Sequence, residues 1–178
     1  MFKKVKIDYN FDKVLSSDYS SDSEFLLPYC QKHIPEFYNT VESEIYFSSK
    51  NSTFHQIIWN KEQLDYEDIG KQLEMKVVDI RSTRQNPGNC VPYHRDIMGR
   101  IKRAYPNIST HKIIRANIFL EDYKLGHFLQ VTVDNKHYTV PPWSCNEGYI
   151  WDDSIYHLSC NAGLAPKYTL QVTGLLID

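Results

Sequence analysis

Short apolar runs separated by turn-forming residues dominate the second half of the chain. Met75–Thr83 is rich in β-branched residues and reads as a strand, as does Lys112–Glu121. Phe128–Asp134 and Lys136–Val140 flank Asn135 as a hairpin, and Gly148–Asp152 and Tyr168–Ile177 complete the set. The first half is mixed. Val5–Tyr9 and Phe54–Trp59 are expected as strands, helices are expected near residues 22–33 and 61–73, and Glu36–Tyr46 is a weaker helical stretch. Residues 16–23, rich in Ser and Asp, suit a loop or a helix entry. The change of character after Gln72 divides a single domain, 1–178, into helical and strand support over 1–74 and a β core over 75–178. Many short strands with turns between them predict a mainly β (α+β) protein whose core is a closed barrel or a double sheet.

Two strands alternate sharply. On Ile113–Leu120 the residues Ile114, Ala116, Ile118 and Leu120 form one apolar face, and Arg115 and Asn117 share the other with Phe119. On the last strand Lys167, Thr169 and Gln171 oppose Tyr168, Leu170 and Val172. Such polar faces point either to solvent, as in many antiparallel sheets, or into the barrel. A cation turned inward needs an anionic partner.

Composition changes this picture little. A chain of 178 residues suits one domain with a sizeable core, and 13 Tyr, 8 Phe and 3 Trp add to the strand signal. The net charge of -2 argues against a general nucleic-acid or membrane-surface binder. No apolar run approaches the roughly 20 residues of a membrane helix. The start, Met1-Phe-Lys-Lys-Val-Lys-Ile-Asp, lacks the apolar segment of a signal peptide, so a cytoplasmic location is expected. Cys30, Cys90, Cys145 and Cys160 show no CxxC spacing, so neither a zinc knuckle nor a disulfide framework is expected, and Cys90 reads as a free thiol.

Candidate chemistry gathers around His94-Arg95-Asp96. On extended backbone, residues two apart point to the same side, so His94 and Asp96 can share one metal while Arg95 looks away. His157, on a distant strand, supplies a third corner. Two imidazoles and a carboxylate on one face leave the opposite positions open, which suits non-haem Fe(II) oxygen chemistry. Lys167, ten positions after His157, adds a fixed cation for the far carboxylate of an organic co-substrate. A bare HxD is a short pattern, and the remaining histidines, His33, His55, His111, His127 and His137, read as surface or structural residues.

The context strengthens the pattern. A Pro-Gly turn stands in Arg84-Gln-Asn-Pro-Gly-Asn-Cys-Val-Pro-Tyr-His94. Further on come Trp143, Gly148, a short apolar strand, Asp152-Asp153-Ser154, then His157 and Lys167. From about Arg81 to the C-terminus the chain resembles the 2-oxoglutarate/Fe(II)-dependent dioxygenase superfamily, and within it the aspartyl/asparaginyl β-hydroxylase branch. The resemblance implies a double-stranded β-helix (jelly roll, cupin-like) with N-terminal flanking helices. It implies Fe(II), 2-oxoglutarate as co-substrate and O2, with oxidative decarboxylation coupled to hydroxylation of a C–H bond. His94, Asp96 and His157 would be the iron ligands. Lys167 would pair with the 5-carboxylate of 2-oxoglutarate, with Thr169 on the same strand face, and Arg115 and Asn117 would contact the other end. There are two departures: the branch mostly uses arginine where this chain has Lys167, and some of its members lack the carboxylate ligand that Asp96 provides.

A peptidyl or free amino acid, or another small molecule, is the primary substrate class this implies, and a nucleic-acid strand stays open. The connector Ile97–Lys112 carries Arg100, Lys102, Arg103 and Lys112 with no acidic residue, and forms either a rim of the active-site mouth or a solvated loop. Tyr93 is expected to wall the site and Trp151 to pack in the core. The same architecture also serves non-redox ligand-binding cupins. A zinc hydrolase using the same three ligands would not need Lys167.

Overall fold

The computed structural model describes residues 1–19, 23–39, 48, 50–109 and 112–177. In chain order it begins with β1 (Phe2–Lys6), α1 (Asp12–Leu15), β2 (Ser23–Phe25), α2 (Leu27–His33) and α3 (Pro35–Tyr38). There follow β3 (Thr53–Trp59), α4 (Tyr66–Gln72), β4 (Met75–Gln85), β5 (Cys90–Arg95) and α5 (Gly99–Ala104). The C-terminal part holds β6 (Ile113–Phe119), β7 (His127–Val133), β8 (Lys136–Thr139), β9 (Glu147–Asp152), β10 (Tyr156–Asn161) and β11 (Lys167–Leu176). The strands form a seven-stranded sheet, ordered β1-β9-β6-β11-β4-β3-β2, and a four-stranded sheet, ordered β5-β10-β7-β8. Every pairing is antiparallel. The architecture is the expected jelly roll, mainly β, with helices on its outside.

The large sheet is two-faced because its strands alternate. Leu170 and Val172 on β11, Ile80 on β4, Ile114, Ala116 and Ile118 on β6 and Ile150 on β9 face outward. They meet Val14 of α1, Ile69 of α4 and Leu73 just beyond it, and all are buried. Each of the Val, Leu and Ile side chains contributes about 1.5–3 kcal/mol by leaving water. Asp65 caps α4 by accepting from the backbone N–H groups of Glu67 and Asp68, both at 3.0 Å. The inner face of the same strands is polar and looks toward the small sheet. A second apolar cluster of Phe119, Leu129, Val131, Val140, Trp143, Tyr149, Trp151 and Ile155 plugs one end of the space between them.

The expected hairpin forms β7 and β8. Asp134 and Asn135 both take positive φ, 51° and 59°, as a type I′ turn requires. Other boundaries move for local reasons. The strand expected over Val5–Tyr9 lies at Phe2–Lys6, because the Asp8 N–H is taken by Gln72 Oε1 at 2.7 Å instead of a neighbouring strand. The helix expected near 22–33 starts at Leu27, with Pro28 in its first turn, and Ser23–Phe25 is a strand. Of the stretch Glu36–Tyr46 only the part within α3 is helical, and residues 40–47 lie outside the described residues. Among the described residues no helix is long and apolar enough to cross a membrane.

The cysteine expectation needs correcting. Cys90 and Cys160 are Cα partners across β5 and β10 and are joined by a disulfide. Strand register brings together two positions 70 residues apart, which no short spacing rule detects. Cys30 and Cys145 are free.

Candidate metal centre

The strand that carries the first candidate ligand is launched by a tight turn. Asn89 N–H donates to Asn86 O at 3.0 Å, with Pro87 second and Gly88 third at φ 84°. That is the arrangement of a type II turn, whose third position favours glycine. β5 then runs with His94 inward and Arg95 outward, over the ring of Tyr156. Asp96 follows the strand end and turns back inside. His157 on β10 is the Cα partner of His94. One ligand atom from each of His94, Asp96 and His157 lies within 4.8 Å of the others, and all three residues are buried.

Hydrogen bonds to backbone carbonyls set both imidazoles. His94 Nδ1 donates to Pro92 O at 2.8 Å and His157 Nδ1 donates to Ile155 O at 3.2 Å. A carbonyl only accepts, so Nδ1 carries the proton in each ring and Nε2 presents a lone pair. This is how metal-binding histidines are oriented by their surroundings. Burial, more than any neighbour, keeps both rings neutral, lowering His94 and pushing His157 down to about 3. Burial alone would raise the Asp96 carboxyl. Arg115 leads the opposing influences, followed by the two imidazoles and the Trp151 hydrogen bond, and the net result is about 2. The donor set near neutral pH is therefore two imidazole lone pairs and one carboxylate, suited to a divalent cation.

A second layer holds this set. Arg115 Nη1 donates to Asp96 Oδ1, while its Nε donates to Thr173 Oγ1 at 3.1 Å. Trp151 Nε1 donates to Asp96 Oδ2 at 3.1 Å, and its ring lies 4.9 Å from that of His157. Trp151 therefore packs in the core and also orients a candidate ligand. Tyr29 on α2 donates to Arg95 O at 2.8 Å and accepts from Ile97 N–H at 3.1 Å, bracketing Asp96 on both sides. Sequence reading missed this tyrosine because it lies in a helix 67 positions before Asp96, beyond the range of any local pattern. Tyr93, expected as a wall, is on the outer face of β5, stacked on Tyr156 at 5.2 Å and donating to Thr132 Oγ1.

A cavity of about 370 Å³ opens beside the three residues. Asn117 and Thr169 line it, as do Ile97, Met98, Gly99 and Arg103 of the connector. Arg115 also reaches it, but the partner it holds is Asp96, not a position deeper in the cavity. Lys102 bonds Asp153 at 2.7 Å. Residues 110–111, including His111, lie outside the described residues.

Lys167 stands behind the cavity wall, 2% exposed. Its Nζ donates to Phe128 O and, at 2.7 Å, to Ser159 Oγ, and lies 5.6 Å from the Trp143 ring. No carboxylate among the described residues pairs with it, and burial pushes the amine down to about 7. Ser159 is one hydrogen bond away from Lys167 and itself lines the cavity. Its hydroxyl donates to Gln85 Oε1 at 2.7 Å. Thr169 and Thr83 share a hydrogen bond of 2.6 Å nearby. Ser159 and Gln85 carried no signal in the sequence, since their meeting depends on how the two sheets face each other.

No family model matches the chain, and no curated protein matches it. Solved structures do. A Pseudomonas putida prolyl-4-hydroxylase is similar at a TM-score of 0.56 with 14% identity, over 98% of this chain and 92% of that one. The non-heme alpha ketoglutarate dependent carbocyclase SnoK, from nogalamycin biosynthesis, is similar at 0.58 with 11% identity, over 99% of this chain and 80% of that one. The non-heme alpha ketoglutarate dependent epimerase SnoN, from the same biosynthesis, is similar at 0.54 with 12% identity, over 71% and 63%. None of the three is an aspartyl/asparaginyl β-hydroxylase. In its fold, the chain is similar to 2-oxoglutarate-dependent oxygenases.

Proposed function

We propose that the protein is a non-haem iron oxygenase that couples decarboxylation of 2-oxoglutarate to oxidation of a C–H bond, with His94, Asp96 and His157 as the iron ligands. The observation that carries this reading is the buried His–Asp–His group, its ligand atoms within 4.8 Å of one another on a jelly roll. Fe(II), 2-oxoglutarate and O2 fit that group and the fold. When bound, the iron would supply the redox chemistry of O2 activation.

The chain's own residues would position and exclude. The backbone carbonyls of Pro92 and Ile155 fix the ring tautomers, and Arg115 and Trp151 keep Asp96 ionised and oriented. Lys167 would receive the 5-carboxylate of 2-oxoglutarate through or in place of the Ser159 hydroxyl, with Thr169 and Thr83 as neutral partners. Asn117, buried at the cavity wall, would face the reacting end of the co-substrate. Leu129 and Val91 line the same cavity and limit water near the metal. A free or peptidyl amino acid is the substrate class we favour, with hydroxylation as the outcome.

Anaerobic titration of the apoprotein with Fe(II) and 2-oxoglutarate tests the reading. A weak visible charge-transfer band should develop, and admitting air should release succinate. His94→Ala should abolish iron binding, whereas Lys167→Ala should retain iron and raise the 2-oxoglutarate requirement. Absence of both the band and succinate from iron-loaded protein would leave a non-redox cupin as the better reading. Equal loss of iron in the two variants would remove the separate roles given to His94 and Lys167.

A further inference from the structure

Beyond the candidate ligands the cavity continues along the inner face of the large sheet toward β4 and α5. Asn117, Gln171 and Arg81 stand side by side there, because Gln171 is the Cα partner of both Asn117 and Arg81. All three line the cavity. Among the described residues neither the Asn117 nor the Gln171 carboxamide has a side-chain hydrogen bond. Arg81 is braced from one side, its Nε donating to Asp79 Oδ2 at 2.8 Å and its Nη1 to Gln56 Oε1 at 3.3 Å. The second bond is long, and Nη2 makes none among the described residues. Arg103 lines the same cavity.

This end is separate from the co-substrate anchor. Gln171 lies four residue steps beyond Lys167 on β11, about 13 Å between Cα atoms at the rise of a strand. A five-carbon diacid running from the metal to Lys167 would not require Arg81. A braced guanidinium beside open carboxamides offers a planar fork of donors, which matches a carboxylate better than any neutral group.

We infer that Arg81 and Gln171 form the primary-substrate subsite, with Asn117 at its border with the co-substrate, and that the substrate is a small molecule whose carboxylate docks on Arg81 beside Gln171. The inference rests on the oxygenase reading for what the bound molecule undergoes, but the subsite stands on its own geometry. A neutral analogue would leave the inner guanidinium nitrogen unpaired and bind at least about tenfold more weakly.

Matched probes test this: a panel of N-acetyl-L-amino acids and their primary amides, titrated into zinc-loaded, 2-oxoglutarate-saturated protein and followed by ligand-observed NMR. At least one acid should bind, its amide about tenfold more weakly. In Arg81→Gln the acid should fall to the level of its amide, while 2-oxoglutarate affinity, titrated separately, stays within about twofold. Arg81→Lys, which keeps charge but not the fork, should recover part of the preference. If Arg81→Gln does not fold, Gln171→Glu carries the test, since a carboxylate beside the guanidinium repels an incoming acid and should produce the same loss. Equal binding of acids and amides, no acid binding at all, or loss of 2-oxoglutarate with the acid in Arg81→Gln would overturn the inference. A wild-type protein that fails to bind 2-oxoglutarate sinks the oxygenase reading instead. Acid preference in the metal-free protein would then still support the subsite, and its absence would overturn it.

Discussion

Lys167 has no carboxylate partner among the described residues, and its chemistry is the most pH-sensitive at the site. Burial holds its amine at about 7, so it is mostly ammonium below that pH and mostly neutral above it. In the role proposed for Lys167, only the ammonium attracts the 5-carboxylate of 2-oxoglutarate, and a bound carboxylate favours the charged form. Binding must therefore draw in a proton at any pH above the free value, and affinity must fall as pH rises. Calorimetric titration of metal-loaded protein in two buffers of different ionisation enthalpy reads this directly. Uptake should approach one proton per 2-oxoglutarate near pH 8 and vanish near pH 6, roughly as a single titration about pH 7 dictates. Lys167→Gln should show no uptake at either pH. Proton-neutral binding by the wild type near pH 8 would mean that the carboxylate is held elsewhere.

At the scale of elements, the site depends on the pairing of β5 with β10, which carry His94 and His157 as Cα partners. The Cys90–Cys160 disulfide clamps the same two strands and closes a loop of 70 residues. In the chain-entropy view a loop of that length stabilises the fold by about 4 kcal/mol. Reduction, or the paired change Cys90→Ser with Cys160→Ser, should lower the thermal midpoint by roughly 8–16 °C for a domain of this size. It should also weaken zinc or Fe(II) binding in competition with a chelator, because the histidines then sit on strands with no covalent link between them. Coincident midpoints for oxidised and reduced protein would remove the clamp from the account. These two strands are also where sequence reading was weakest. β6, β9 and β11 declared themselves by alternation or by runs of apolar residues. β5 carries Pro92, tolerated because β5 lies at the edge of its sheet, and β10 reads Tyr-His-Leu-Ser-Cys-Asn with no clear period. Their residues answer to the candidate metal site and the cross-link more than to strand propensity, so the candidate ligands were legible while the bounds and pairing of their strands were not.

Across the whole molecule, what the sequence could not convey is how much of residues 1–74 is sheet. β1 pairs with β9 at one edge, and β3 pairs with β4 at the other, with β2 beyond it. The same segment supplies Val14, Ile69 and Leu73, which cover Leu170, Val172, Ile80 and Ile114. Alternation along β6 and β11 was readable, but which of their two faces met solvent was not, because neither does: helices cover one and the cavity occupies the other. A fragment of residues 75–178 would expose that apolar face and leave β9 and β4 as bare edges, both hazards for aggregation. We expect it to be insoluble or to lack near-ultraviolet dichroism, whereas the full chain should lose near- and far-ultraviolet signals in one coincident transition. The decisive measurement is zinc binding by any soluble 75–178 fragment. His94, Asp96 and His157 all lie within it, so binding at full-chain affinity would show that residues 1–74 are dispensable for the site. Loss of binding would be consistent with the route by which the first half acts: Tyr29 brackets Asp96 from α2, and the fragment lacks both of its hydrogen bonds to the flanking backbone.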